Sequence, residues 1–247
     1  QIVWTLQSIP SVGRVGIFEN GQTLGSRGKT VLGKNDFQSL GPDNPDRKSS
    51  LYLVHKSKIS KVRNGKKSLV GYFTKAREIS VTSDQLRISY ATNGTLNSAY
   101  FSLPIDPDDT FSGVKSFTYD RFKRLWFIDA EGGLNCLSEN GALQPLAMPL
   151  EMKLTHVSVS RDGARLAVVA KNKTGSKLFV ATIVSENGNL TVGKPKTIEQ
   201  SFSEVFDVDW FNSDELVVLG RIGLGKAQVQ TLSLSSGYIS NLNAPSA

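Results

Sequence analysis

A strand–turn–strand pattern recurs along this chain, and it constrains the fold more than any other feature. Four segments carry alternating apolar residues, a polar turn and a second apolar run: 79–81 before 86–88, 117–119 before 125–128, 157–159 before 166–169, and 208–210 before 216–219. With Leu86, Leu125, Leu166 and Leu216 as markers, the spacings are 39, 41 and 50 residues. A period near 40 in short, alternating strands marks a β-propeller blade, whereas a helical repeat of that length shows a period of 3.6. Outer strands of the units are expected at 98–103, 133–137, 177–184 and 228–234, and a hairpin over 51–62 supplies part of one more unit. The expected fold is therefore all-β, a propeller of about five blades over residues 49–247. Each blade buries both faces only against its neighbours, which favours closure into a ring.

The first 48 residues read differently. Ile2, Val3, Leu6 and Ile9 fall at helical spacing, and Pro10 stops that helix. Residues 12–19 read as a strand, Asn20-Gly21 as a turn, and 23–48 as a loop or linker. One helix and one strand cannot bury a core, so residues 1–48 are expected either to be the C-terminal part and linker of a second, α/β domain or to pack on the propeller.

Charge is concentrated in one place. Lys56, Lys58, Lys61, Arg63, Lys66, Lys67, Lys75 and Arg77 lie in 22 residues without Asp or Glu, so this stretch carries +8 of a chain whose net charge is +7. The other 225 residues are close to neutral. Asn64-Gly65 suits a tight hairpin turn. Such an edge either discourages sheet-to-sheet pairing or docks something anionic: an acidic protein, lipid head groups or an envelope polymer. Lys56, Lys58, Lys61, Arg63, Lys66 and Lys67 are the candidate partner-binding residues. Nucleic acid ranks low, because interleaved surface aromatics are lacking.

Other chemistry is weakly signalled. One cysteine, Cys136, and two histidines, His55 and His156, exclude zinc clusters of the usual Cys/His spacing. The longest apolar run, 166–170, is far below the roughly 18 to 20 residues of a membrane-spanning helix. The segment Gly220-Arg-Ile-Gly-Leu-Gly225-Lys226-Ala227 mimics a phosphate loop, but Ala227 replaces the Mg²⁺-binding hydroxyl and the flanks read as strands, so a glycine-rich hairpin is expected. His156 reads as a strand residue. Asp106, Asp108 and Asp109 read as a solvated turn in preference to a calcium site completed by backbone carbonyls, and Asp120, Asp162 and Asp214 as turn caps at equivalent points of three blades. Trp126 and Trp210 are expected in inter-blade packing, and Tyr90, Tyr100 and Phe101 in the core. No catalytic residue, metal or cofactor is assigned.

Two sets of residues resemble a known family. The run Gln1-Ile-Val-Trp-Thr-Leu-Gln-Ser-Ile-Pro-Ser-Val-Gly-Arg-Val-Gly-Ile-Phe-Glu-Asn-Gly resembles the final helix and strand of a GerMN domain. Phe117-Thr-Tyr-Asp120-Arg-Phe-Lys-Arg-Leu-Trp126 and Val157-Ser-Val-Ser-Arg-Asp162-Gly-Ala-Arg-Leu166 resemble blade elements of the LpqB lipoproteins of actinobacteria. Lys123-Arg124 stands where that family often has Gly-Trp. The resemblance implies an extracytoplasmic accessory protein, held at the outer face of the cell membrane by an N-terminal lipid anchor outside this chain. It also implies a partner, the sensor domain of a two-component histidine kinase whose signalling the protein modulates without being an enzyme. The alternative from another class is a propeller hydrolase or lyase acting on a cell-wall carbohydrate or peptide through paired ionisable groups near the axis.

Overall fold

A computed structural model describes residues 17–19, 22–24, 51–55, 58–63, 66–72, 76–82, 86–92, 94–100, 109–160, 162–186, 188–198 and 202–241. All the regular structure among them is β, as expected. The chain divides into two compact units, the first ending at Phe111 and the second beginning at Ser112.

The first unit opens with β1 (Ile17–Glu19) and β2 (Gln22–Leu24), which pair antiparallel. The expected strand thus ends at Glu19, but the chain returns as a second strand through Leu24 where a loop was expected. The expected helix before Pro10 lies outside the described residues. A three-stranded meander follows: β3 (Leu51–His55), β4 (Lys58–Arg63) and β5 (Lys66–Tyr72). Arg63 pairs with Lys66, the register a two-residue Asn-Gly connection dictates. The next sheet is β6 (Ala76–Val81), β7 (Arg87–Thr92), β8 (Thr95–Tyr100) and β9 (Asp109–Ser112), in that order.

The second unit holds three such meanders. The first is β10 (Ser116–Tyr119), β11 (Leu125–Ile128), β12 (Leu134–Leu137) and β13 (Leu143–Leu146). The second is β14 (Lys153–Val159), β15 (Arg165–Asn172), β16 (Gly175–Glu186) and β17 (Asn189–Val192), with β18 (Lys196–Thr197) also on β16. The third is β19 (Phe202–Trp210), β20 (Glu215–Ile222), β21 (Gln228–Ser233) and β22 (Ile239–Asn241). First strands lie beside first strands, β10 against β14 and β14 against β19.

Alternation along β15 explains the packing. Leu166, Val168 and Ala170 face the preceding sheet, joining Trp126, Ile128, Leu134 and Cys136 in one core. Ala167 and Val169 face the following sheet, joining Val208, Trp210, Leu216 and Val218 in a second core. A strand buried on both faces reads as a continuous apolar run rather than an alternating one. Trp126 and Trp210 are in the core, as expected, with their polar edges satisfied: Trp126 Nε1 donates to Asp120 Oδ2 at 2.8 Å and Trp210 Nε1 to the Ser158 carbonyl at 3.2 Å.

The registers correct one marker of the repeat. Tyr119 pairs with Leu125, Val159 with Leu166 and Trp210 with Leu216, but Val81 pairs with Ile88. Leu86 is 58% exposed at the turn, so Ile88 is the true equivalent of the three buried leucines. The phosphate-loop mimic is a hairpin as expected, with Gly220 paired to Gln228.

Candidate functional site

The six basic candidate residues divide between elements of the first unit. Lys58, Lys61 and Arg63 lie on β4 and Lys66 and Lys67 on β5, while Lys56 falls outside the described residues. In register, Lys61 pairs with Tyr52 on one side and Ser68 on the other, and Val62 pairs with Lys67. Of the acidic trio, Asp106 and Asp108 lie outside the described residues, and Asp109 accepts from Arg87 Nη2 at 3.1 Å. Tyr90 is buried as expected, whereas Tyr100 is exposed, on the last residue of β8 beneath the Arg87 guanidinium; Phe101 lies outside the described residues.

In the second unit the first turns of the three sheets gather at one end. Asp120 builds the first of them. Its carboxylate, 1% exposed, accepts the N–H groups of Phe122 at 2.8 Å and Arg124 at 3.0 Å, Arg124 Nε at 2.5 Å and Trp126 Nε1 at 2.8 Å. Charge-assisted bonds of this kind are about twice as strong as neutral ones, so the turn is rigid. Lys123 sits at its apex with φ of 61°, the one non-glycine residue with positive φ among those described, and its Nζ is 2.8 Å from Glu139 Oε1.

That turn holds Phe122 outward, 52% exposed. The Arg124 guanidinium lies 4.7 Å and that of Arg121 5.3 Å from the ring centroid, within cation–π range. The next turn supports the ring from below. A Cβ on Gly163 would come within 2.7 Å of Phe122 Cε2, and Gly163 has φ of 71°, so both space and backbone require glycine there.

The second and third turns use different caps. The Ser160 hydroxyl accepts from Arg165 N at 2.9 Å, and Asp162 accepts from Ala164 N at 3.0 Å. Burial works to raise the Asp162 carboxyl, but bonds from Ser160 and Ala164 and the charge of Arg165 hold it below the ordinary range. In the third turn the cap is Asn212, whose Oδ1 accepts from Asp214 N at 2.7 Å and Glu215 N at 2.8 Å. Asp214 instead accepts the hydroxyls of Ser235 and Ser233, which keep its carboxyl low. The expected equivalence of Asp120, Asp162 and Asp214 thus holds in function for two turns. In the third, the aspartate ties one turn to another.

A recurring arginine escapes the sequence reading. Arg87, Arg124 and Arg165 each enter the second strand of their sheet, and each covers an aromatic ring: Tyr100, Phe122 with Trp126, and Trp210. Arg165 also donates to the Ser213 carbonyl. Counting from Leu86 placed Arg87 out of line with the others; counting from Ile88 brings all three into register.

A second cluster lies on the first strands. Ser116, His156 and Asp207 occupy the same position of β10, β14 and β19, and the last two follow register shifts after Leu154 and Val205. Bulges re-aim side chains and are common beside functional sites. Ser116 Oγ accepts from Val157 N at 3.2 Å, and Ser158 Oγ donates to Asp209 Oδ1 at 2.6 Å, so neighbouring sheets are stitched along this row. Burial pushes the Asp207 carboxyl above its ordinary value, against the pull of His156 and of the bond from Val208 N. Among the described residues no group of three or more His, Cys, Asp or Glu could hold a metal.

Four-stranded antiparallel meanders, stacked face to face with their first strands adjacent, define a β-propeller. Residues 116–247 match the family described as the lipoprotein LpqB beta-propeller domain, and the chain belongs to that family. It is 29% identical over 82 residues to a lipoprotein LpqB of Thermobifida fusca (strain YX), a match covering 33% of this chain and 13% of that protein. Among solved structures, the fold is similar to one in a nidogen/laminin complex, with TM-score 0.59 and 11% identity over 92% of this chain and 87% of that one. TolB from Acinetobacter baumannii gives TM-score 0.58 and 14% identity over 84% and 54% of the two chains. Virginiamycin B lyase from Staphylococcus aureus gives 0.53 and 15% over 86% and 71%.

Proposed function

We propose that this chain is a non-enzymatic, extracytoplasmic docking module of a lipoprotein, and that it binds the sensor domain of a two-component histidine kinase and modulates its signalling. The observation that carries this reading is the Asp120 turn: an exposed aromatic ring clasped by two guanidinium groups on a rigid loop. Aromatic and arginine side chains dominate the energetic centres of protein interfaces, and a turn fixed beforehand loses little entropy on docking. Family membership supports the envelope setting, since both the family and its T. fusca member carry the name lipoprotein. The basic strands of the first unit, with Lys58, Lys61, Arg63, Lys66 and Lys67, together with Lys56, supply a second place for an acidic partner.

The test is titration of this chain against isolated sensor domains from the source cell, at low and at physiological salt. Binding is expected, weakening with salt, and Phe122→Ala is expected to reduce affinity by about tenfold or more, the loss of one interface hot spot. No binding at low salt to any sensor domain contradicts the partner. Wild-type affinity in the Phe122→Ala variant contradicts the site.

A second reading, a hydrolase or lyase acting on an envelope carbohydrate or peptide, rests on the Ser116, His156 and Asp207 row. A partly buried carboxyl raised in pKa on a first strand beside a histidine is a pattern that acid–base sites use. It requires turnover that His156→Ala abolishes.

A further inference from the structure

The glycine hairpin that mimics a phosphate loop ends in an unusual tip. Leu224 stands between Gly223, with φ of 56°, and Gly225, and it is 105% exposed, more open than in an extended chain. Ile222 beside it is 39% exposed. A leucine held fully in water on a glycine-flanked tip gains nothing for the fold. Basic side chains flank it, Arg221 on one strand and the exposed Lys226 on the return.

The neighbouring sheet brings more positive charge to the same end. The turn between β15 and β16 reaches Ser203, whose carbonyl lies 3.9 Å from where a Cβ on Gly175 would sit, and Ser203 Oγ donates to the Gly223 carbonyl at 2.6 Å. Lys173 is exposed in that turn, and Lys171 pairs in register with Lys153, both exposed. Arg221 is matched by Glu204 at 3.5 Å. Acidic groups share this end: the turn of the preceding sheet that carries Asp129 and the exposed Glu131 packs on Lys153, where Leu154 N–H donates to the Gly132 carbonyl at 3.4 Å, and Glu151 is exposed beside it, so the basic residues of the sector are Lys171, Lys173 and Lys226 on the second and third sheets.

We infer that this end of the second unit rests on an anionic lipid surface, with Leu224 inserted among the head groups and Lys171, Lys173 and Lys226 facing the phosphates. An apolar tip with lysines on its own hairpin and on the neighbouring turn matches the two forces that hold peripheral proteins on membranes, apolar insertion and attraction to the negative surface. Charge complementarity with anionic head groups, and a family named for lipoproteins, point to a bilayer rather than a protein groove as the occupant.

Co-sedimentation of this chain with vesicles tests the inference without any protein partner, so its outcome is independent of the sensor-domain reading. Binding is expected to vesicles of equal phosphatidylglycerol and phosphatidylcholine and to be lost on pure phosphatidylcholine. It is expected to fall steeply in about 0.5 M NaCl, where the screening length is roughly half its physiological value. Leu224→Ser is expected to weaken it about tenfold, and Lys173→Glu with Lys226→Glu by a similar factor or more, since each charge contributes about fivefold near such a surface. In Leu224→Trp, brominated lipid is expected to quench the fluorescence of the added indole. Three results overturn the inference: no binding to the anionic vesicles, binding untouched by Leu224→Ser and by the lysine pair, or an added indole left unquenched when the Leu224→Trp variant is bound to brominated vesicles. Because Leu224 touches no core, circular dichroism matching the wild type confirms that the variants are folded.

Discussion

At the residue scale, single side chains do several jobs at once. Asp120 caps a turn, pairs with Arg124 and satisfies the indole of Trp126. Its role as a cap is legible in the sequence, because Asp before a short polar turn has that local chemistry. Its bond to Trp126 depends on burial by the next sheet and left no local signal. Cys136 is placed in the core, and burial, aided by the nearby charge of Asp120, pushes its thiol up to about 12. The Asp207 carboxyl is raised by burial, which sets a pH dependence. Between the unfolded value near 3.8 and the raised folded value, the native state holds a proton that the unfolded chain has lost. Asp207 therefore costs stability progressively as pH rises through that window. Asp207→Asn is expected to be more stable than the wild type at pH 7, with the difference vanishing toward pH 3, in urea unfolding across that range. A variant less stable at pH 7 contradicts the account.

At the element scale, the recurring unit is a meander whose first turn must reverse the chain within four or five residues. The four sheets from β6 onward each solve this with a different cap: Thr82 accepting from Arg87 N, Asp120 from Arg124 N, Ser160 from Arg165 N and Asn212 from Glu215 N. The strands were legible because β-branched and aromatic residues alternate between clear turn signals. The fourth strands were harder to see. β13 (Leu143–Leu146) contains Pro145 and β22 (Ile239–Asn241) has only three residues, so neither presents a period long enough to read. The slip at Leu86 has the same origin, an apolar side chain at a turn that only register distinguishes from a core residue. Lys123 marks a strained point, since a side chain at φ of 61° carries a steric cost. Lys123→Gly is expected to stabilise the second unit by roughly 0.5 to 1 kcal/mol in thermal unfolding, the relief of that cost less the added freedom of the unfolded chain. Loss of the exposed pair with Glu139 subtracts little.

At the scale of the whole molecule, fold and surface divide the work. The cores between the second unit's sheets are built from residues that the repeat exposes, so the all-β architecture follows from pattern alone. The candidate surfaces do not, because Phe122 and Leu224 look like any apolar residue until their exposure is seen. The two ends of the second unit then differ in character: the first-turn end presents an aromatic ring among guanidinium groups, the other a leucine tip among lysines. The central claim is that the first-turn end docks the sensor domain. Hydrogen–deuterium exchange of this chain with and without that domain tests it most directly. Slowed exchange is expected at residues 120–124 and 160–165 on binding, with the strands behind them unchanged. Protection confined to β14 and β19, or absent from the first turns while the complex forms, would contradict it.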